Sequence, residues 1–214
     1  GVPYHSASGY IAKLIKEGLR VAVCEQLTDP DTSKGIVERG VTRIITPGIA
    51  CEDELLEPKT NNFIAAAYVS SGNCGFAYMD VSTGEFKLHE PSTPAALHDE
   101  IIRIAPNELL VQEVEKKAFS LMYGISAKRI TPVAGYEFDL DAATARLTAL
   151  FETASVDGFG CKGLTNAVRA AGALLYYLKE TRMSALKHIK KPAPYYTHEY
   201  LLSDSSTFKN LEIL

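Results

Sequence analysis

No long apolar run, no block of basic residues, no C-x-x-C and no phosphate-loop pattern occurs in these 214 residues. Each absence removes a class. Without about twenty consecutive apolar residues no membrane-spanning helix is expected. Lys and Arg are spread along a chain of net charge -4, so binding to nucleic acid through bulk positive charge is excluded, and any DNA contact must come from a few placed residues. Cys24, Cys51, Cys74 and Cys161 are too scattered for a zinc ligand set; with no leader peptide before them they read as reduced thiols of a cytoplasmic protein. His5, His89, His98, His188 and His198 never fall four residues apart on one helix face, so no metal site is expected. The chain opens on Gly1 rather than Met and stops at Leu214 without tail-like composition, which reads as a piece of a longer protein.

What is present is an ordinary globular composition, 46% apolar and 22% charged, enough for one large or two small cores. Ser6 or Ser8 can cap a helix with Tyr10, Ile11, Leu14 and Ile15 inward, ended at Gly18. Arg20–Cys24 reads as a buried strand, and 37–46 as a second whose alternation places Val37, Arg39, Val41, Arg43 and Ile45 on one face. Acidic residues 51–58 read as a short helical connection, with a boundary near residue 57. Three strands follow, 63–69, 75–81 and 85–90, separated by short Gly-containing loops that suit an antiparallel meander. Thr93-Pro94 opens a helix with Leu97, Ile101, Ile102 and Ile104 inward. A strand at 109–111, a helix at 114–122, a strand at 125–130, a helix capped by Asp139 or Asp141, and a long helix over 164–182 complete an α/β layout with a mixed sheet. Pro192, Pro194 and Tyr195-Tyr196 read as an extended passage into a third unit.

The motifs are few. Gly158–Gly163 matches G-x-G-x-x-G, yet a helix precedes it where a dinucleotide site needs a strand, so it reads as a helix-to-helix turn. The βββαβαβα order is that of ribonuclease-H-like domains, which raises a metal-dependent nuclease as the alternative function. The first of those strands, 63–69, carries no carboxylate, while Asp80, Glu85 and Glu90 sit elsewhere; a two-metal site needs converging acids. No nucleophile constellation stands out, so no catalytic residue is assigned and this part is read as non-enzymatic. Arg39 and Arg43, roughly 13 Å apart on one strand face, can follow a phosphate backbone, with Lys34 in the preceding loop. The ordinary alternative is a pair of solvated surface charges.

The whole chain resembles the bacterial MutS family of mismatch-repair proteins. Gly1-Val2-Pro3-Tyr4-His5, Val23-Cys24-Glu25-Gln26, Thr32-Ser33-Lys34-Gly35, Val37-Glu38-Arg39, Val41-Thr42-Arg43 and Thr46-Pro47-Gly48 follow the end of its mismatch-recognition domain. Phe76–Asp80, Ser82-Thr83-Gly84 and Gly158-Phe159-Gly160 follow its connector domain, and Asp204, Thr207 and Asn210–Ile213 the start of its helical core. The resemblance implies three units: 1–57, part of a small α+β domain; 58–183, a mixed-sheet ribonuclease-H-like connector; and 184–214, the start of the helical core. It also implies Tyr4, His5, Lys34, Arg39 and Arg43 as candidate DNA contacts, and mismatched double-stranded DNA, MutL and a second copy of the full-length protein as partners. The mispair-wedging motif, and the ATPase domain that uses ATP and Mg, fall outside this sequence in the family; the expected location is the bacterial cytoplasm, at the nucleoid. In the helix capped near Asp139, Leu140, Leu147, Leu150 and Phe151 form the inward stripe. Ala142, Ala145, Arg146 and Ala149 then face outward as a surface for MutL.

Overall fold

Pro3 sets the start of the first helix. Its fixed φ of -59° precedes α1, Tyr4–Lys16, and its carbonyl accepts from the Ser6 N–H at 3.0 Å. The expected serine caps are therefore displaced: Ser6 and Ser8 lie inside α1, which begins without a side-chain cap. The structure, a computed structural model, describes residues 2–28, 37–49, 61–181 and 188–196. The acidic connection at 51–58 and the third unit beyond 196 lie outside these residues.

α1 packs on a two-stranded antiparallel ribbon, β1 (Val21–Gln26) and β2 (Arg39–Ile45), paired from Val21 opposite Ile45 to Gln26 opposite Arg39 with a bulge at Thr42, where Val23 faces Arg43 but Cys24 faces Val41. Ile11, Ile15 and Ile45 make a small core, with Val21 and Val23 against it. Tyr10 and Leu14, expected inward, are exposed. A ribbon of two strands covers only one narrow stripe of a helix, and the i, i+4 pair Ile11 and Ile15 fills it.

The second unit is a six-stranded mixed sheet. β3 (Phe63–Ser70), β4 (Asn73–Asp80) and β5 (Glu85–His89) form the expected antiparallel meander. β6 (Glu108–Gln112) runs parallel to β3, β7 (Ile130–Val133) parallel to β6, and β8 (Ala193–Pro194) parallel to β5, giving the order β7-β6-β3-β4-β5-β8. β3 explains the layering. Ile64 and Ala66 point into a core shared with α4 (Leu140–Phe151) and α5 (Thr165–Glu180), whereas Ala65 and Ala67 point into one shared with α2 (Pro94–Ile104) and α3 (Lys116–Met122). Both faces are covered, so β3 reads as a continuous apolar run rather than an alternating one.

Local chemistry fixes the helix starts. Thr93 Oγ1 accepts from the Ala96 N–H at 3.1 Å with Pro94 in the first turn, and one Asp139 oxygen accepts from the N–H groups of Asp141 and Ala142, both at 3.0 Å. Three expectations change. Ile102 is exposed on α2; the segment at 114–122 begins as a 3-10 turn, Glu113–Glu115, before α3; and the strand expected at 125–130 begins only at Ile130, after a 3-10 turn at Ala127–Arg129. β7 is an edge strand, which is why it tolerates Pro132.

Candidate functional site

β2 carries Arg39 and Arg43. Arg39, Val41 and Arg43 are exposed while the intervening Gly40, Thr42 and Ile44 are half-buried, but a bulge at Thr42 breaks the expected alternation, so Arg43 and Ile45 share the face of Val23 and Val21 while Arg39 and Val41 share that of Gln26 and Cys24. Ile45 lies under α1. Cross-strand, Gln26 faces Arg39 and Val23 faces Arg43, whereas Glu25 faces Gly40. Tyr4 and His5 open α1, with side chains outside what is described, and Lys34 lies outside the described residues altogether. Arg39 and Arg43 are thus both exposed on β2 but lie on either side of a bulge rather than on one continuous face.

The outward face of α4 is half of a groove. Ala145, Arg146, Ala149 and Leu150 line one wall and Leu175, Tyr176, Lys179 and Glu180 of α5 the other, around a volume of about 700 Å³. Ala145 and Ala149 are exposed, as expected. Arg146 is not a loose surface charge. It donates to the Glu137 carboxylate, to the Glu137 carbonyl at 2.9 Å and to the Gly172 carbonyl at 3.4 Å, and its guanidinium lies 5.1 Å from the Tyr176 ring centre. Ala142 is half-buried, and Ala143, absent from the expected inward stripe, is fully buried beside Leu147.

The acids of the nuclease reading have structural employment. One Asp80 oxygen accepts from the Ser82 N–H at 2.9 Å and the Ser82 hydroxyl at 2.6 Å, closing the β4–β5 turn. Glu90 accepts from the Asn166 and Ala167 N–H groups at 3.0 and 3.2 Å, satisfying the start of α5. Glu85 pairs with Lys87. Among the described residues no three His, Cys, Asp or Glu are grouped to hold a metal ion. The glycine-rich match falls in a 3-10 turn, Val156–Phe159, and the residues up to α5, with α4 before it. No described helix is long and apolar enough to cross a membrane.

Sequence reasoning missed one centre. Glu108 is 2% exposed at the start of β6 and gathers donors from residues 46, 48, 131 and 177. The available signal was a lone acid opening an otherwise apolar strand, Glu108-Leu109-Leu110-Val111. Burial and the adjoining carboxylate push the Tyr177 hydroxyl well above the ordinary tyrosine range, so it donates as a neutral group.

The sequence profile of MutS domain II matches residues 62–190. The chain belongs to the MutS family. The profile of MutS domain I matches residues 1–54, so the two arginines and the mixed sheet fall in two successive MutS domains. A DNA mismatch repair protein MutS from Desulfosudis oleivorans is 42% identical over the whole of this chain, which covers 25% of that relative. DNA mismatch repair proteins MutS from Dehalococcoides mccartyi and Desulforapulum autotrophicum are 40% and 42% identical, again over the whole chain, with 24% and 25% of their lengths covered. The chain thus spans about a quarter of the length of the curated relatives it matches. These matches favour mismatch repair and lend the nuclease alternative no support.

Proposed function

We propose that this chain is the part of a DNA mismatch recognition protein that carries the DNA-sensing domain on a connector and hands its position on to the helical core. The division follows residues 1–57, 58–183 and 184–214. The strand order, with β3 central between β6 and β4, supports a ribonuclease-H-like connector. The part is non-catalytic; ATP and Mg act in a domain outside this sequence, and the whole protein works as a homodimer on mismatched duplexes in the bacterial cytoplasm, at the nucleoid. The observation that carries the reading is the exposure of both Arg39 and Arg43 on β2, in a domain matched as MutS domain I.

Arg39 and Arg43 contact phosphates, with Tyr4, His5 and Lys34 as the neighbouring candidates, and they carry no base readout. The test is fluorescence anisotropy of this chain with homoduplex and mispaired DNA over a salt series. Binding is expected to be weak and equal for the two duplexes, and Arg39→Ala with Arg43→Ala flattens the salt slope by about 1.8, two phosphates' worth. An unchanged slope removes the two arginines. A reproducible tenfold preference for the mispair, about 1.4 kcal/mol, contradicts the reading that discrimination lies outside this part.

The groove between α4 and α5 favours a second role on the same chain, the docking of MutL on Ala145, Ala149 and the walls around Arg146. It offers small exposed residues beside the apolar Leu150 and Leu175, a surface that a partner can approach closely.

A further inference from the structure

We infer that Glu108 is the positioning residue of the joint between the N-terminal unit and the connector, a latch whose two oxygens serve two different bodies. Oε1 accepts from the Thr131 hydroxyl of β7 at 2.6 Å and from the Tyr177 hydroxyl of α5 at 2.7 Å. Oε2 accepts from the Thr46 hydroxyl and from the Gly48 N–H at 3.3 Å, both in the segment leaving β2. Thr46 is fully buried, and a Cβ on Gly48 would lie 2.7 Å from the Glu108 Cβ and 3.0 Å from the Ile64 Cβ, so the Gly48 backbone sits directly against these two side chains. Arg20, just before β1, donates to Thr131 Oγ1 at 2.7 Å and lies 6.0 Å from the Tyr177 ring centre; the Ile44 N–H reaches the Thr181 carbonyl at 3.4 Å. One carboxylate, on β6, is thus the common acceptor of two other connector elements, β7 and α5, and of the incoming chain.

The division of labour between the two oxygens gives the joint its character. A buried carboxylate stripped of its donors is costly, but this one is never stripped. When the N-terminal unit lifts, Oε1 keeps Thr131 and Tyr177, and water reaches Oε2 through the gap that Thr46 and Gly48 leave. Glu108 stays in place while the N-terminal unit is released, so the unit can detach and return to the same register. A purely apolar contact of equal area would hold the units together without specifying where they sit, because burial is non-directional. The inference needs only the two units and their contact, and is independent of whether Arg39 and Arg43 bind DNA.

Amide hydrogen exchange followed by NMR on the 214-residue chain tests it. In the unaltered chain the Gly48 amide is protected. Thr46→Val, which replaces the hydroxyl by a methyl of the same shape, lowers Gly48 protection about tenfold or more, as expected for losing a hydrogen bond to a charged group. The amides of Ala66 and Ala77 in the central strands stay unchanged, and Thr46→Ser restores Gly48. Glu108→Gln, whose amide can face the rotatable Thr131 and Tyr177 hydroxyls, gives a smaller loss at the same place. An unprotected Gly48 in the unaltered chain, a loss shared equally by Ala66 and Ala77, or failure of serine to restore protection overturns the latch. So does Gly48 protection left untouched by both Thr46→Val and Glu108→Gln.

Discussion

Arg146 lies on α4 but works for two other elements. Its guanidinium pairs with the carboxylate of Glu137, 5% exposed in the turn before α4, and reaches the Gly172 carbonyl on α5. Removing the arginine leaves that carboxylate buried without its cation, so Arg146→Ala should cost about 3 kcal/mol of stability, against a few tenths for an ordinary surface arginine. Urea unfolding measures it, and a loss under about 1 kcal/mol would mean that water replaces the pair. The same contrast selects the variant for the MutL question. Ala145→Glu with Ala149→Glu changes two exposed positions and leaves the urea midpoint in place, so diminished MutL recruitment to mismatched DNA by the full-length protein would report the groove rather than unfolding. Helical periodicity placed Arg146 outward from the α4 stripe alone. It could not see Glu137, nine residues earlier in a different element, or Gly172, twenty-six residues later.

α4 and α5 approach through their smallest residues. A Cβ built on Gly172 would fall 2.2 Å from the Ala143 Cβ and 2.4 Å from its Cα, atoms that cannot swing aside. Gly172→Ala gains up to about 1 kcal/mol of helix propensity, but forcing the helices apart costs about 1–3 kcal/mol, and the gap between α4 and the sheet widens with it. The melting temperature should therefore fall; a rise would show that the helices can shift without loss. At this scale much was legible. The meander β3–β5, the Thr93-Pro94 start of α2, the Asp139 cap of α4 and the long α5 all follow from turn residues and periodicity, because their causes lie within a few residues. The misplaced start of β7 and the false serine caps of α1 belong to segments where two local options compete. Tertiary pairing with β6 decides the first and the fixed φ of Pro3 the second. The exposure of Arg39 and Arg43 was legible, the bulge at Thr42 that separates them was not, and neither was Glu108, since its four donors arrive from distant parts of the chain.

Across the described residues the mixed-sheet unit carries two buried tyrosine–carboxylate contacts. Tyr177 donates to Glu108 where the N-terminal unit arrives, and Tyr195 donates to Glu100 at 2.8 Å where segment 188–196 crosses the sheet edge. Arg103 grips Glu100 from α2, and the Tyr195 N–H bonds the Leu88 carbonyl at 2.9 Å. Burial and the neighbouring carboxylates hold both hydroxyls far above the ordinary value of 10.0, and burial lifts the Cys161 thiol from 9.0 to about 11. The sign is the same for all three. Below about pH 9 each group is protonated in both the folded and the unfolded chain, and folding keeps its full stability. As the pH rises the unfolded chain releases the thiol proton first and the phenol protons next, while the folded chain must keep them, so stability drains away with increasing pH. The urea midpoint of the chain should therefore be level near about pH 8 and fall steadily between about pH 9 and 10.5. Cys161→Ala lessens the earliest part of that fall, which the Cys161 thiol shares with the Cys74 thiol, likewise raised from 9.0 by burial. Tyr177→Phe lowers the midpoint at about pH 8 by deleting a hydrogen bond to a charged group, yet makes the later decline shallower. A midpoint that stays flat to about pH 10.5 in the unaltered chain would mean that water or movement at the two contacts lets the hydroxyls ionise without unfolding.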